Sequence, residues 1–210
     1  MGEFDESATI ENLLVFGKTG VGKTTTLNKL FELQWRTDHA VACTDKPTVR
    51  LLTHQNCPGL LKPLQVVDLP GIGESLAKDD EYWPYYTEWI PRADRLLWIT
   101  QADTRAYKRD ELFLIRLMGM FKPTMRLTIG LNKADCLGAD DGSERFDNSR
   151  ERLTDAQFKQ LPAKLDDVFA LFNAVLAGCS ALDRDDIVPY SATSGWGFGR
   201  LRQLFFTEET

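Results

Sequence analysis

Residues 17–24 read Gly-Lys-Thr-Gly-Val-Gly-Lys-Thr and directly follow an apolar run at residues 13–16. The pattern G-x-x-x-x-G-K-[ST] is a phosphate-binding loop, or P-loop, which needs a strand before it and a helix after it. Leu27, Leu30 and Phe31 recur at helical spacing and predict that helix. Backbone N–H groups and the helix N-terminus would then face one concavity. The segment therefore predicts an α/β fold that binds a nucleoside triphosphate.

Two P-loop side chains have expected chemical roles. We expect Lys23 to contact the β- and γ-phosphates and to stabilise the charge of the transition state, and we expect the Thr24 hydroxyl to bind Mg²⁺. The residues expected to bind nucleotide here are Gly17, Thr19, Gly20, Val21, Gly22, Lys23, Thr24 and Thr25.

A second motif predicts which base is bound. Residues 125–131 alternate as in a strand, and Asn132-Lys133-Ala134-Asp135 follow at its carboxyl end, where open parallel sheets bind ligands. The Asp135 carboxylate can accept two hydrogen bonds from guanine, whereas adenine offers no donors in that arrangement. Asn132 is expected to tie this loop to the P-loop, and the Lys133 stem to lie over the base. After another short strand come Ser191, Ala192 and Thr193, and the Ala192 N–H is expected to donate to the guanine carbonyl.

A third motif lies between these two and predicts contact with the γ-phosphate. The strand-like run at residues 64–67 leads into Asp68-Leu69-Pro70-Gly71, a D-x-x-G sequence. We expect Asp68 to hold Mg²⁺ through a water molecule and the Gly71 N–H to meet the γ-phosphate. A switch threonine should lie upstream in a loop that can close on Mg²⁺ and release it. Thr44 is the preferred candidate, with Thr37 and Thr48 as alternatives.

These motifs occur in the order typical of a known class. The P-loop, Thr44, D-x-x-G, N-K-x-D and Ser-Ala-Thr resemble the five signature elements of translation-factor-class GTPases. More narrowly, residues 42–47, 67–74 and 97–106 resemble the YfjP-like group of Era-type bacterial GTPases. The resemblance covers residues 12–206. It implies a three-layer α/β P-loop GTPase domain with a mostly parallel, roughly six-stranded sheet, and it implies GTP, GDP and Mg²⁺ as ligands.

The hydrolytic machinery is less clearly marked. Many GTPases have a glutamine after D-x-x-G that orients the attacking water, but this chain has Ile72. Glu74 is a candidate to contact the water instead. We expect Arg36, His39 and Arg50 to be solvated residues in or near the first switch, with a group acting in trans as the alternative for each. Slow intrinsic turnover is expected, with acceleration by a homodimer through the switch face or by a protein effector.

Two functions fit these motifs equally well. One is a molecular switch that hydrolyses GTP to GDP and phosphate. The other is a nucleotide-gated assembly protein, similar to septins or immunity-associated GTPases, with slow hydrolysis. An ATPase or kinase is opposed by the guanine motif at residues 132–135.

Composition sets limits on partners and location. The net charge of −6 argues against a general nucleic-acid-binding surface. No segment is apolar for long enough to span a membrane, and the four cysteines do not form a disulfide framework, so a cytoplasmic location is expected. We expect a flexible tail at residues 1–11, one G domain at residues 12–206 with a polar surface insertion near 136–153, and a C-terminal tail at 207–210.

Periodicity predicts alternating strands and helices. The strands are expected near 12–16, 49–54, 64–68, 95–100, 125–131 and 187–190, and the helices near 24–32, 79–90, 107–121, 154–176 and 199–206. The aromatic-rich segment at 81–89 leaves two alternatives open. Tyr82, Tyr86 and Trp89 share a helical face and are expected in the core, whereas Trp83 and Tyr85 fit either a core or an interaction surface.

Overall fold

Six strands form one mixed sheet in the computed structural model, which describes residues 9–37, 44–138, 146–147, 151–179 and 181–207. In chain order the strands are β1 (Glu11–Phe16), β2 (Thr48–Leu52), β3 (Leu64–Asp68), β4 (Arg95–Gln101), β5 (Arg126–Asn132) and β6 (Ile187–Pro189). Their order across the sheet is β2-β3-β1-β4-β5-β6, and the β2–β3 pair alone is antiparallel among them. The expected mostly parallel six-stranded sheet is confirmed.

Helices cover both faces of this sheet. They are α1 (Lys23–Phe31), α2 (Leu76–Trp89), α3 (Lys108–Leu117), α4 (Asp155–Leu176) and α5 (Phe198–Gln203). Successive strand residues point to opposite faces. In β1, Leu14 and Phe16 belong to the core shared with α2, α3 and α4, whereas Leu13 and Val15 belong to the core shared with α1 and α5. The fold therefore has three layers.

Strand β4 shows why the centre of the sheet is well defined. Its residues from Leu96 to Thr100 are buried, as expected for a parallel strand covered on both faces. The Trp98 ring meets Phe16 of the neighbouring β1 edge-on, with ring centroids 4.8 Å apart. This central pair fixes the strand from which the P-loop departs.

Some element boundaries differ from those expected. Helix α2 begins three residues early because the Ser75 side chain accepts a hydrogen bond from the Lys78 N–H and caps it. Helix α3 ends at Leu117, and a short 3₁₀ helix follows at Met118–Met120. Helix α5 ends at Gln203 rather than near 206, where the Phe205 carbonyl instead accepts from the Leu61 N–H.

The aromatic side chains of α2 pack mainly inward. Tyr82 and Tyr86 are buried, as expected. Trp89 was also expected in the core, but it is only partly buried and packs against the edge of that core. Trp83 and Tyr85 are also partly buried and pack against the same core, which favours the core alternative for both.

Parts of three expected segments lie outside the described residues. Of the polar insertion near 136–153, this applies to residues 139–145 and 148–150. Of the N-terminal tail it applies to residues 1–8, and of the C-terminal tail to residues 208–210. Within the described ranges, no helix combines the length and apolar character needed to cross a membrane.

Candidate functional site

The P-loop occupies the turn between β1 and α1. Gly22 caps α1 with φ +91°, a left-handed conformation that disfavours side chains. A Cβ atom there would lie 2.5 Å from the Asn132 amide nitrogen, so residues 132–135, which we name the base-recognition loop after their expected role, approach the P-loop at this glycine. On the opposite side, the Gln101 amide donates to the Gly20 carbonyl over 3.3 Å.

Lys23 lies buried at the first turn of α1. Its ammonium donates to the Gly17 carbonyl at 3.3 Å and to the Lys18 carbonyl at 3.1 Å, which keeps the loop wound around it. Burial lowers the pKa of Lys23, and the carboxylates of Asp68 and Glu74 oppose that shift. The cation is thus held at the loop with two carboxylates nearby.

Three oxygen-bearing side chains meet beside the P-loop. The Thr24 hydroxyl donates to Asp68 Oδ2 over 2.6 Å, and the Thr44 hydroxyl lies 3.4 Å from Thr24 Oγ1 and 3.5 Å from Asp68 Oδ2. Burial raises the pKa of Asp68. Its second oxygen, Oδ1, is buried and has no hydrogen-bond partner among the described residues.

This cluster fits a hard divalent cation. Mg²⁺ prefers carboxylate and hydroxyl oxygens and keeps several waters. A buried carboxylate oxygen with no partner is costly in the protein alone, and a metal or its bound water would satisfy it. Thr24, Thr44 and Asp68 are therefore the residues that would hold Mg²⁺. Of the three candidate switch threonines, Thr44 is the one whose hydroxyl contacts Thr24 and Asp68.

Residues 68–74, which we name switch segment two, begin at Asp68 and contact the P-loop directly. The Thr19 N–H donates to the Ile72 carbonyl at 2.9 Å. A Cβ at Gly71 would lie 2.4 Å from Thr19 Oγ1 and 2.7 Å from Thr19 Cα, so only glycine fits this approach. The Gly71 N–H is thereby brought next to the loop that would hold phosphate.

The base-recognition loop is fixed by Asn132, as expected. Its amide group donates to the Val21 carbonyl of the P-loop at 2.8 Å, and its carbonyl oxygen accepts from the Ala192 N–H at 2.9 Å. Because the Ala192 N–H already has this partner, a guanine carbonyl would have to share it. Lys133 adopts φ +61°, which turns the chain so that the partly exposed Asp135 follows.

The remaining predicted residues differ in their exposure to solvent. Thr25 is half-buried in the first turn of α1. Ser191 is buried and its hydroxyl accepts from the Ser194 N–H at 3.0 Å, whereas Thr193 is exposed. Arg36 and Arg50 are exposed, and His39 lies outside the described residues.

Two supporting residues of the base-recognition loop were not expected from the sequence. The Gln157 amide donates to the Asp135 carbonyl at 2.7 Å and to the Leu137 carbonyl at 3.3 Å. Gln157 also forms the capping box of α4 with Thr154, which places its side chain at the start of this helix. Tyr190 extends its hydroxyl to within 2.9 Å of Thr26 in α1, so the strand before the Ser-Ala-Thr motif is tied to the P-loop helix.

A further unexpected contact connects the P-loop to α3. The Lys18 ammonium lies 2.7 Å from Asp110 Oδ2 and donates to the Ala106 carbonyl at 3.0 Å. The next α3 residue toward the N-terminus, Arg109, donates to the Gly73 carbonyl. One helix turn thus holds both the P-loop and switch segment two.

Comparison with known proteins decides the family. The sequence model of the family described as 50S ribosome-binding GTPase matches residues 12–133, which include the P-loop, D-x-x-G and the first two residues of N-K-x-D. The chain belongs to this GTPase family. It is a P-loop GTPase, as the sequence predicted.

Two proteins with similar sequences agree with this membership. The chain is 38% identical over 107 residues to Escherichia coli (strain K12) YfjP, covering 50% of this chain and 35% of YfjP. It is 32% identical over 117 residues to Bos taurus septin-11, covering 54% of this chain and 24% of septin-11. The alignments thus span about a third of YfjP and a quarter of septin-11.

Era in complex with MgGDPNP and part of 16S ribosomal RNA has a similar fold. Its structure matches with a TM-score of 0.63 at 19% identity, covering 97% of this chain and 59% of the Era chain. The likeness in fold extends over nearly the whole of this chain.

Proposed function

We propose that this chain binds GTP and GDP with Mg²⁺, hydrolyses GTP slowly, and acts as a nucleotide-dependent molecular switch. The observation that carries the proposal is the meeting of Thr24, Thr44 and Asp68 within 3.5 Å beside the buried Lys23. In a GTPase these groups hold the metal and the phosphates, and the threonine from the first loop reports the γ-phosphate. Mg²⁺ would neutralise phosphate charge there.

The proposed preference for guanine over adenine nucleotides rests on Asp135. Its loop is anchored through Asn132 to the P-loop and through Gln157 to α4, which supports the proposal because the backbone that carries the Asp135 carboxylate is held near the P-loop. An ionised acceptor facing two guanine donors contributes hydrogen bonds worth about 1.5–3 kcal/mol each. The Asp135→Asn variant should therefore lose about 100-fold or more in GTP affinity and gain relative preference for xanthine nucleotides. Unchanged GTP affinity would contradict this role.

The decisive experiment measures phosphate release from GTP at several protein concentrations. The reaction contains Mg²⁺, and Lys23→Ala serves as the blank because it removes the cation that faces the phosphates. We expect slow release above the blank, abolished by EDTA and not competed by ATP. Release indistinguishable from the blank would refute a hydrolytic switch, and competition by ATP would refute the guanine site.

The same concentration series separates the switch from nucleotide-gated assembly. Turnover per molecule that stays constant supports a switch awaiting an effector. Turnover that rises with concentration would mean that a second copy supplies a catalytic group. The similarity to septin-11 spans only about half of this chain, so it gives assembly no support beyond shared GTPase motifs.

A further inference from the structure

Ile72, the residue after D-x-x-G, is not placed to orient a water molecule with its side chain. Ile72 is 2% exposed and belongs to the hydrophobic core. Its backbone is also engaged, with the N–H facing the Gly17 carbonyl at 3.3 Å and the carbonyl accepting from Thr19. Any group that orients a water for attack on the γ-phosphate must therefore come from another position.

Glu74 places a carboxylate on the P-loop two residues later. Its Oε1 atom accepts a hydrogen bond from the Thr19 hydroxyl at 3.1 Å. Its charge also acts on the buried ammonium of Lys23, together with that of Asp68. Asp68 is already committed to the hydroxyls of Thr24 and Thr44, whereas Glu74 is exposed to solvent and accessible to a water molecule.

The backbone before Glu74 is held on both sides. The Gly73 N–H donates to Asp79 Oδ1 at 2.7 Å, and the Gly73 carbonyl accepts from the Arg109 guanidinium. Gly73 has φ +86°, which only glycine adopts without strain. Immediately after Glu74, Ser75 caps α2. Glu74 thus extends from a short, fixed segment rather than from a free loop.

We propose that Glu74 orients the attacking water for GTP hydrolysis and accepts a proton from it. This inference rests on the proposed GTPase activity. The water oxygen forms a bond to the γ-phosphorus while the bond to the β–γ bridging oxygen breaks, and that electron pair remains on GDP. The water proton passes to the Glu74 carboxylate and from there to the released phosphate. Asp79 and Arg109 are positioning residues that act through Gly73.

A general base within hydrogen-bond reach contributes about 10²–10⁴-fold to a reaction rate. Glu74→Ala should therefore lower single-turnover hydrolysis by about 100-fold or more. Binding of a non-hydrolysable GTP analogue should change by less than about threefold. Glu74→Gln can orient water but accepts no proton. Its hydrolysis rate should therefore lie between those of the wild type and Glu74→Ala.

The matched control is Glu81→Ala, which removes the same charge from the exposed face of α2. It should leave both hydrolysis and analogue binding unchanged. Arg109→Ala should lower the rate constant of hydrolysis about tenfold at constant analogue affinity, since misplacement by a fraction of an ångström weakens orientation. Arg109→Lys should restore part of the rate, because it retains a donor for the Gly73 carbonyl.

Three outcomes distinguish the hypotheses. A wild-type protein that fails to bind GTP overturns the proposed function itself. A wild-type protein that hydrolyses GTP while Glu74→Ala does so equally well overturns only the role of Glu74. Analogue affinity that rises more than tenfold in Glu74→Ala at unchanged turnover would also overturn it, because the carboxylate would then merely compete with phosphate for Lys23. GDP binding and thermal melting establish that each variant is folded.

Discussion

Replacing Lys18 with methionine should leave the Asp110 carboxylate buried without its cation. The Asp110 side chain is fully buried and that of Lys18 is 17% exposed, with 2.7 Å between Lys18 Nζ and Asp110 Oδ2. Breaking a buried ion pair by removing one partner costs about 3–5 kcal/mol, because the remaining charge is not compensated. For a chain of this size, that corresponds to a fall in Tm of about 6–20 °C.

A double-mutant cycle tests whether this cost arises from the pair. Asp110→Leu removes the charge that needs compensation, so Lys18→Met combined with Asp110→Leu should cost less than the sum of the two single changes by about 1–3 kcal/mol. Urea unfolding without nucleotide measures each free energy. The control is Arg184→Met, since Arg184 pairs with Asp166 at 2.6 Å but both side chains are exposed, and we expect less than about 1 kcal/mol there.

Additivity in this cycle would refute the reasoning. So would a cost for Lys18→Met no larger than that of the exposed Arg184 control, because the Lys18–Asp110 pair would then be effectively solvated. Either result would mean that α3 is not anchored to the P-loop by this contact.

Three further predictions follow from the contacts around the P-loop. Burial raises the pKa of Asp110, with Lys18 opposing, so the folded state retains this proton to higher pH than the unfolded state. The stability of the wild type relative to Asp110→Asn should therefore fall as pH rises from about 4 through the raised pKa, measured by urea titrations at several pH values. Gly71→Ala should lower hydrolysis by about 100-fold at nearly constant GDP affinity, because its Cβ would collide with the Thr19 backbone. Tyr86→Phe should destabilise the chain by about 1–2 kcal/mol in urea, since it removes the donor to the buried Pro70 carbonyl; no change would mean that water replaces the hydroxyl.

The sequence predicted those features whose signal is local. The P-loop, its strand and its helix lie within some twenty residues, and the unbroken apolar run of β4 marks a central strand by itself. The Asn132 contact with the P-loop was also expected, because the position of N-K-x-D after a strand places it at the same sheet edge.

The features that the sequence did not predict depend on residues far apart in the chain. Nothing near Lys18 indicates that its partner is Asp110, because the contact requires α3 to lie beside the P-loop. The early end of α5 likewise depends on a backbone contact between Leu61 and Phe205. The start of α2 is different, since serine is itself a preferred N-cap residue and Ser75 is therefore a local signal, which the aromatic pattern of the helix obscured.

Helix α3 makes two contacts of unequal strength, one with the P-loop and one with switch segment two. Asp110 holds Lys18 through a buried ion pair, so separating them leaves a charge without water. The neighbouring Arg109 is exposed, so its contact with the Gly73 carbonyl can be exchanged for water at little cost. The P-loop is therefore the part of the site that α3 holds fixed. Switch segment two depends on α3 less than the P-loop does, because the hydrogen bond from the Gly73 N–H to Asp79 and the Ser75 cap of α2 also hold the backbone beside Glu74.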